Sequence, residues 1–183
     1  MGNQRRRARR ERAKRMVKKV SLGVEIAEDR RHTSIVGAGY VSKGIVLIDL
    51  LAYLTGTEAT STILRLRKTR KVQSVVIDPH SPGATLIKPL TDAEVTVTQP
   101  STSDIAVAHG TFLDELAAGR LRHAGQPELD AAVRHGAQRP LGGAAAWQRR
   151  GMPVDVSPLS AATLAVWGLL NGPADYDLLE SVY

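Results

Sequence analysis

The sequence predicts one α/β domain over residues 20–172, a mixed sheet with helices packed on it. Three observations carry this. The domain opens with three strand-like segments joined by hairpin-length connections. A nearly continuous apolar run, Val72 to Ile77, follows a helical segment, as a buried parallel strand would. The chain then closes on the best-defined helix, starting at Ser157–Pro158.

Each element has its own signal. Val20 to Ala27 alternates, with Val20, Leu22, Val24 and Ile26 on one face and Ser21, Gly23, Glu25 and Ala27 on the other. That reads as a half-buried strand. His32 to Val41 and Gly44 to Tyr53 read as the second and third strands. Ile63 and Leu66 among basic residues predict a helix to about Lys71. Beyond the apolar run ending at Asp78–Pro79, a short helix is expected near Ala84–Thr91 and a strand at Glu94–Thr98. Ser103 is the expected cap of a helix to Ala118, with Ile105, Ala108, Phe112 and Leu116 on one stripe and Gly119 as its stop. Pro127 opens a helix carrying Leu129, Ala132 and Val133. Ser157 is the expected N-cap of the last helix, whose stripe is Leu159, Ala162, Val166, Trp167 and Leu170. This is the element order of the ribonuclease H-like fold: a five-stranded mixed sheet, three antiparallel strands then two parallel, flanked by helices.

Composition narrows the function. There is no cysteine among the 183 residues, which excludes disulfides and thiolate zinc sites. No apolar run is long enough to span a bilayer, so no membrane partner is expected. The net charge of +7 is concentrated: residues 1–20 carry +9 and the remaining 163 sum to −2. A near-neutral domain thus follows a basic arm, residues 1–19, which reads as disordered and as a salt-sensitive attractor for phosphate backbones. Residues 173–183 form a short acidic tail.

Three carboxylates stand where chemistry could use them. Glu25 lies between two small residues, Gly23 and Ala27. Asp78 ends a buried strand, and α/β sheets place ligands at the carboxyl ends of their strands. Asp155 precedes the last helix, its side chain not needed as the cap. Each has an ordinary reading as well: exposed strand residue, turn former, loop solvation. Taken together they suit phosphodiester hydrolysis, in which two divalent ions held by hard oxygen ligands activate water and stabilise the leaving oxygen.

A resemblance sharpens this. Residues 110–150, GTFLDELAAGRLRHAGQPELDAAVRHGAQRPLGGAAAWQRR, and 154–168, VDVSPLSAATLAVWG, resemble the C-terminal part of phage terminase large subunits, most of all those of actinobacterial phages and prophages. LGVEIAEDRR and VVIDPHSPGATL are similar to the same proteins in the same order. The resemblance implies a Mg²⁺- or Mn²⁺-dependent nuclease domain, with two ions, that cuts concatemeric double-stranded DNA during genome packaging in the host cytoplasm. It places the acidic ligands on Glu25, Asp78 and Asp155. It implies a terminase ATPase chain, a small terminase subunit and a portal as partners. The family usually has Asp where Glu25 stands. The longer arm moves the carboxylate by one methylene, and a shift of about 1 Å can cost about a hundredfold in rate, which bears directly on whether cleavage is retained. Asp29, in the first hairpin, is a less well placed substitute. No GxxxxGK[ST] phosphate loop occurs, and GAGYVSKG at 37–44 does not match one, so the nuclease domain is expected without its motor. Two alternatives stay open: a catalytically impaired DNA- or partner-binding remnant, and another ribonuclease H-like nuclease such as a Holliday-junction resolvase.

The remaining expectations are smaller. Arg120, Arg122 and His123 form a basic cluster that could contact DNA, and Arg139, Arg149 and Arg150 could line its groove. His109 reads as a packed histidine, His80 as a turn residue, and Trp147 and Trp167 as core. Arg65, Arg67, Lys68, Arg70 and Lys71 read as a solvated helix face.

Overall fold

A computed structural model describes residues 19–172, so most of the basic arm and the whole acidic tail lie outside the described residues. Strands β1 (Val20–Ile26), β2 (His32–Ser42) and β3 (Ile45–Thr55) form an antiparallel meander. Helix α1 (Ala59–Thr69) crosses over to β4 (Val72–Val76), which pairs parallel to β1. A 3₁₀ turn (Pro82–Leu86) and α2 (Ile87–Asp92) lead to β5 (Val97–Thr98), parallel to β4. Then come α3 (Thr102–Ala117), β6 (Leu121–His123), α4 (Pro127–His135), the hairpin β7 (Gln138–Leu141) and β8 (Ala144–Trp147), and α5 (Ser157–Asn171).

The main sheet has the order β5-β4-β1-β2-β3-β6. The five expected strands are present with the expected directions. A sixth, the three-residue β6, adds parallel to β3 because buried Leu121 draws the chain alongside Val46. Within this sheet only β2 runs against the others, so five strands present their carboxyl ends at one edge.

Both faces of the sheet are covered. Val20, Leu22 and Val24 join Ile63 of α1 and Leu90 of α2 in one core. On the opposite face α5, flanked by Phe112 of α3 and Leu129 of α4, packs on β1, β2 and β3. This corrects the half-buried reading of β1, because all seven of its residues are buried. Its small residues face a helix rather than water. A Cβ on Gly23 would sit 1.9 Å from the Ala161 carbonyl oxygen, and one on Gly168 would sit 2.4 Å from Ser21 Oγ. Glycine at both positions lets helix and strand backbones touch.

Other boundaries moved for local reasons. Ser101, not Ser103, caps α3, through a reciprocal capping box with Asp104. Val156 stands at the N-cap of α5, and Ser157 is its first helical residue. The segment at Glu94–Thr98 shrinks to two strand residues. Glu94 takes a left-handed φ of 59°, and Pro100 offers no N–H to extend the ladder. Leu116 and Val133, expected on buried stripes, are 49% and 48% exposed.

Candidate active site

Glu25 is the penultimate residue of β1, and Asp78 lies two residues past the end of β4. Because β1 and β4 are adjacent and parallel, both carboxylates emerge at the same edge. Both are buried, Glu25 at 1% and Asp78 at 3% exposure. Glu25 Oε1 accepts hydrogen bonds from the backbone N–H of Ile26 at 2.9 Å and of Gly83 at 3.2 Å. A side chain at position 83 would begin 3.1 Å from that oxygen, so glycine there leaves space for the carboxylate. Asp78 Oδ1 accepts from the His80 N–H, an Asx turn that also accounts for His80.

One cation serves both acids. Arg149, just past β8, donates from Nη2 to Asp78 Oδ2 at 2.6 Å, and its Nη1 lies 3.8 Å from Glu25 Oε2. Its side chain is only 16% exposed. Burial pushes the Glu25 carboxyl up from 4.5 to about 7; the Arg149 charge opposes this, and the neighbouring Asp78 adds to it. Among the described residues, none donates a hydrogen bond to Glu25 Oε2.

Asp155 lies across a cleft of about 370 Å³ that is also lined by Glu25, Glu28, Asp29 and Arg149. Its oxygens are engaged. Oδ1 accepts from the Ser157 N–H at 2.8 Å, and Oδ2 accepts from Ser157 Oγ at 2.9 Å and from Tyr53 Oη at 3.0 Å. The bond from the Ser157 N–H closes an Asx turn just ahead of α5, whose N-cap position is Val156, so Asp155 is not the helix cap, as expected. Tyr53, stacked on His32 at 4.4 Å, stays a protonated donor, since burial and the Asp155 charge both raise its pKa. A second cleft, of about 630 Å³, shares Glu28 and Arg149 with the first and adds Asp78, His80, Arg139 and Arg150. Among the described residues, no three His, Asp or Glu side chains converge closely enough to form a ready metal cage.

The structure thus brings Glu25, Asp78, Asp155, Arg149 and Arg150 to one edge. It leaves Arg120, Arg122 and His123 elsewhere. His123 pairs with Ile48, five residues before Tyr53 on β3, or about 17 Å along the strand. Arg120 is paired with Glu115 at 2.7 Å, Arg122 donates to the Gly119 carbonyl oxygen, and His123 Nδ1 accepts from the Gly125 N–H and lies 3.2 Å from Asp130. Asp29 is an exposed turn residue bonded to the Arg31 N–H. Sequence reading missed Tyr53 as a partner of Asp155, and it gave Arg149 a groove-lining role rather than this position between two acids. His109 is packed as expected, edge-on to Trp147 at 4.5 Å.

No protein-family model matches the sequence, and no curated protein is similar to it. Solved structures are. The chain superposes on the HK97 bacteriophage large terminase with a TM-score of 0.66 at 13% identity, over 82% of this chain and 39% of that one. It thus spans well under half of that protein. The large terminase nuclease of the thermophilic phage G20c gives 0.61 at 14% identity over 80% of both chains. The same nuclease with bound magnesium gives 0.59 at 14%, over 80% of this chain and 79% of that one. At these identities the likeness is one of architecture: the chain has the ribonuclease H-like fold of phage large-terminase nucleases.

Proposed function

We propose that this domain is a metal-dependent DNA endonuclease of the terminase large-subunit type, cutting concatemeric DNA during phage genome packaging. The observation that carries the reading is the buried pair Glu25 and Asp78, on adjacent parallel strands, sharing a single cation at the mouth of two clefts. Two neighbouring buried carboxylates can both stay ionised only with positive charge between or beside them. Arg149 stands in for the ion such a pair would otherwise hold. The chemistry of the donor set, though not a ready cage, suits Mg²⁺ or Mn²⁺: all three side chains offer hard oxygens, and no described residue donates a hydrogen bond to Glu25 Oε2. A magnesium-bound structure of the G20c nuclease is consistent with that fit.

Glu25, Asp78 and Asp155 would hold the metal, which when bound supplies activation of water and neutralisation of charge at the phosphorus. The chain's own residues prepare the rest. The N–H groups of Ile26 and Gly83 fix one oxygen of Glu25, so its longer arm is anchored rather than loose. Ser157 and Tyr53 fix Asp155. Arg139, Arg149 and Arg150 line the open cleft, where phosphate contacts would position DNA without reading its sequence. The terminase motor, small subunit and portal are the partners this reading implies, in the cytoplasm of the infected host.

One observation favours a second reading, a DNA-binding domain that does not cut. Both oxygens of Asp155 are already committed, and releasing them costs hydrogen bonds. Supercoiled-plasmid cleavage with Mn²⁺ or Mg²⁺ separates the two, run beside Asp78→Asn and an EDTA control. Metal-dependent nicking that disappears in Asp78→Asn upholds the nuclease. A folded protein that binds DNA and leaves the plasmid intact upholds the second reading.

A further inference from the structure

Behind the carboxylate pair, on the side of α3 and α5, lies a small cavity of about 30 Å³. Glu25, Asp78, Ala108, His109, Trp147 and Ser160 are among the residues that line it. Among the described residues, six buried side-chain polar atoms lack a hydrogen-bond partner, and three of the six belong to these lining residues: Glu25 Oε2, His109 Nε2 and Ser160 Oγ. They come from three separate elements, β1, α3 and α5. Buried polar groups without partners are rare, and three around one cavity point to a common partner.

We infer that this cavity holds an ordered water bridging Glu25, His109 and Ser160, which makes His109 a positioning residue for the Glu25 carboxylate. The volume suits it: a water needs about 10–15 Å³ of such space and typically makes about three hydrogen bonds. The chemistry suits it as well. The ionised Glu25 carboxylate accepts from the water, Ser160 Oγ can do either, and His109 Nε2 donates or accepts according to its tautomer. Burial holds the His109 imidazole neutral, which keeps both options open. The ring is held edge-on against Trp147, whose Nε1 is anchored to Thr163 Oγ1 at 2.8 Å, so His109 cannot swing out to find another partner without disturbing that contact. Backbone N–H groups hold one oxygen of Glu25, and the bridged water would hold the other. The longer glutamate arm would thereby be fixed at both oxygens.

The water itself requires nothing of the metal, whereas the role of His109 in ion binding rests on the nuclease reading above. The test therefore has two arms. A crystal structure at about 1.5 Å should show a water within hydrogen-bond distance of at least two of the three atoms; a dry cavity overturns the inference. Calorimetric titration with Mn²⁺ should show His109→Leu binding roughly 10- to 100-fold more weakly than wild type, as removal of a residue that orients a metal ligand does. Ser160→Ala, the gentler change, should lose less, and His109→Gln should recover part of the loss. Full Mn²⁺ affinity in folded His109→Leu and Ser160→Ala overturns the positioning role. A wild type that binds no Mn²⁺ sinks the metal reading instead, and the crystal arm then decides the water alone.

Discussion

Two basic regions of this domain look alike in sequence and differ completely in structure. Arg122 and His123 sit on an edge strand with Arg120 just before it, each against a neighbour close in sequence. Arg149 reaches across 71 residues to Asp78 and 124 to Glu25, in a site where its side chain is 16% exposed against 45% for Arg120. Charge alone did not separate them. Burial did: a cation shared by two buried acids is held by the fold, whereas a cation paired on the surface is held mainly by water.

The comparison breaks most easily at its strongest point. Arg149→Ala leaves two buried carboxylates facing each other. At pH 8 in EDTA it should cost about 3–5 kcal/mol in urea unfolding, the range for removing one partner of a buried ion pair. Arg120→Ala should cost about 0–1 kcal/mol, as exposed pairs do. Added Mn²⁺ should restore part of the loss in Arg149→Ala, because an ion that binds only the folded state stabilises it. Equal, small losses in both variants would show that Arg149 is only a surface cation.

The second test uses pH. The Glu25 carboxyl is raised from 4.5 to about 7 in the folded protein, so the folded state holds that proton more tightly than the unfolded one. Its contribution to stability is fully present below pH 4.5 and is lost as pH rises through 7. Between those limits wild-type stability should fall by on the order of 2–3 kcal/mol from this group. Glu25→Gln should flatten that part of the profile. An unchanged slope in Glu25→Gln would assign the titration to another group and weaken the case for a strained carboxylate pair.

These sites also show how far the sequence reaches. Glu25 and Asp78 were legible because each rests on a local pattern, an alternating strand and an apolar run ended by Asp–Pro. The directions of five strands followed from the same patterns and from short connections. What stayed hidden depends on partners distant in the chain. Ser21 and Gly23 look solvent-facing by period, yet their smallness serves the approach of α5, 140 residues away. Ser157 has the chemistry of an N-cap, and nothing in the sequence signals that it would instead bond Asp155 through both its N–H and its hydroxyl while Tyr53 donates to the same carboxylate. Arg149 carries no local signal of being drawn between two acids. The three-residue β6 has too little period to read.

A smaller effect is expected at Tyr53. Tyr53→Phe removes one of the three hydrogen bonds on Asp155 and keeps the ring stacked on His32. About 1.5 kcal/mol of stability should be lost, at the low end for a bond to a charged group because the site is only partly buried. If Asp155 takes part in holding an ion, freeing its oxygen should strengthen Mn²⁺ binding while stability falls. A parallel loss of both would mean that the hydroxyl aims the carboxylate and does not compete for it.

The smallest effect tests the other region. Each phosphate contact made by an Arg or Lys contributes about −0.9 to the slope of log affinity against log salt on duplex DNA. Arg120→Ala, Arg122→Ala and His123→Ala combined should leave that slope unchanged, because these groups lie about 17 Å along the sheet from the carboxylate edge and are already paired. Arg150→Ala should lower its magnitude by about one. Arg150 lines the cleft, its side chain is 89% exposed, and among the described residues its guanidinium pairs with Glu28 at 2.8 Å, a surface pair that a phosphate can replace. A drop of two or more in the triple variant would mean that DNA wraps from the cleft round to β6, and the two basic regions would then be one surface.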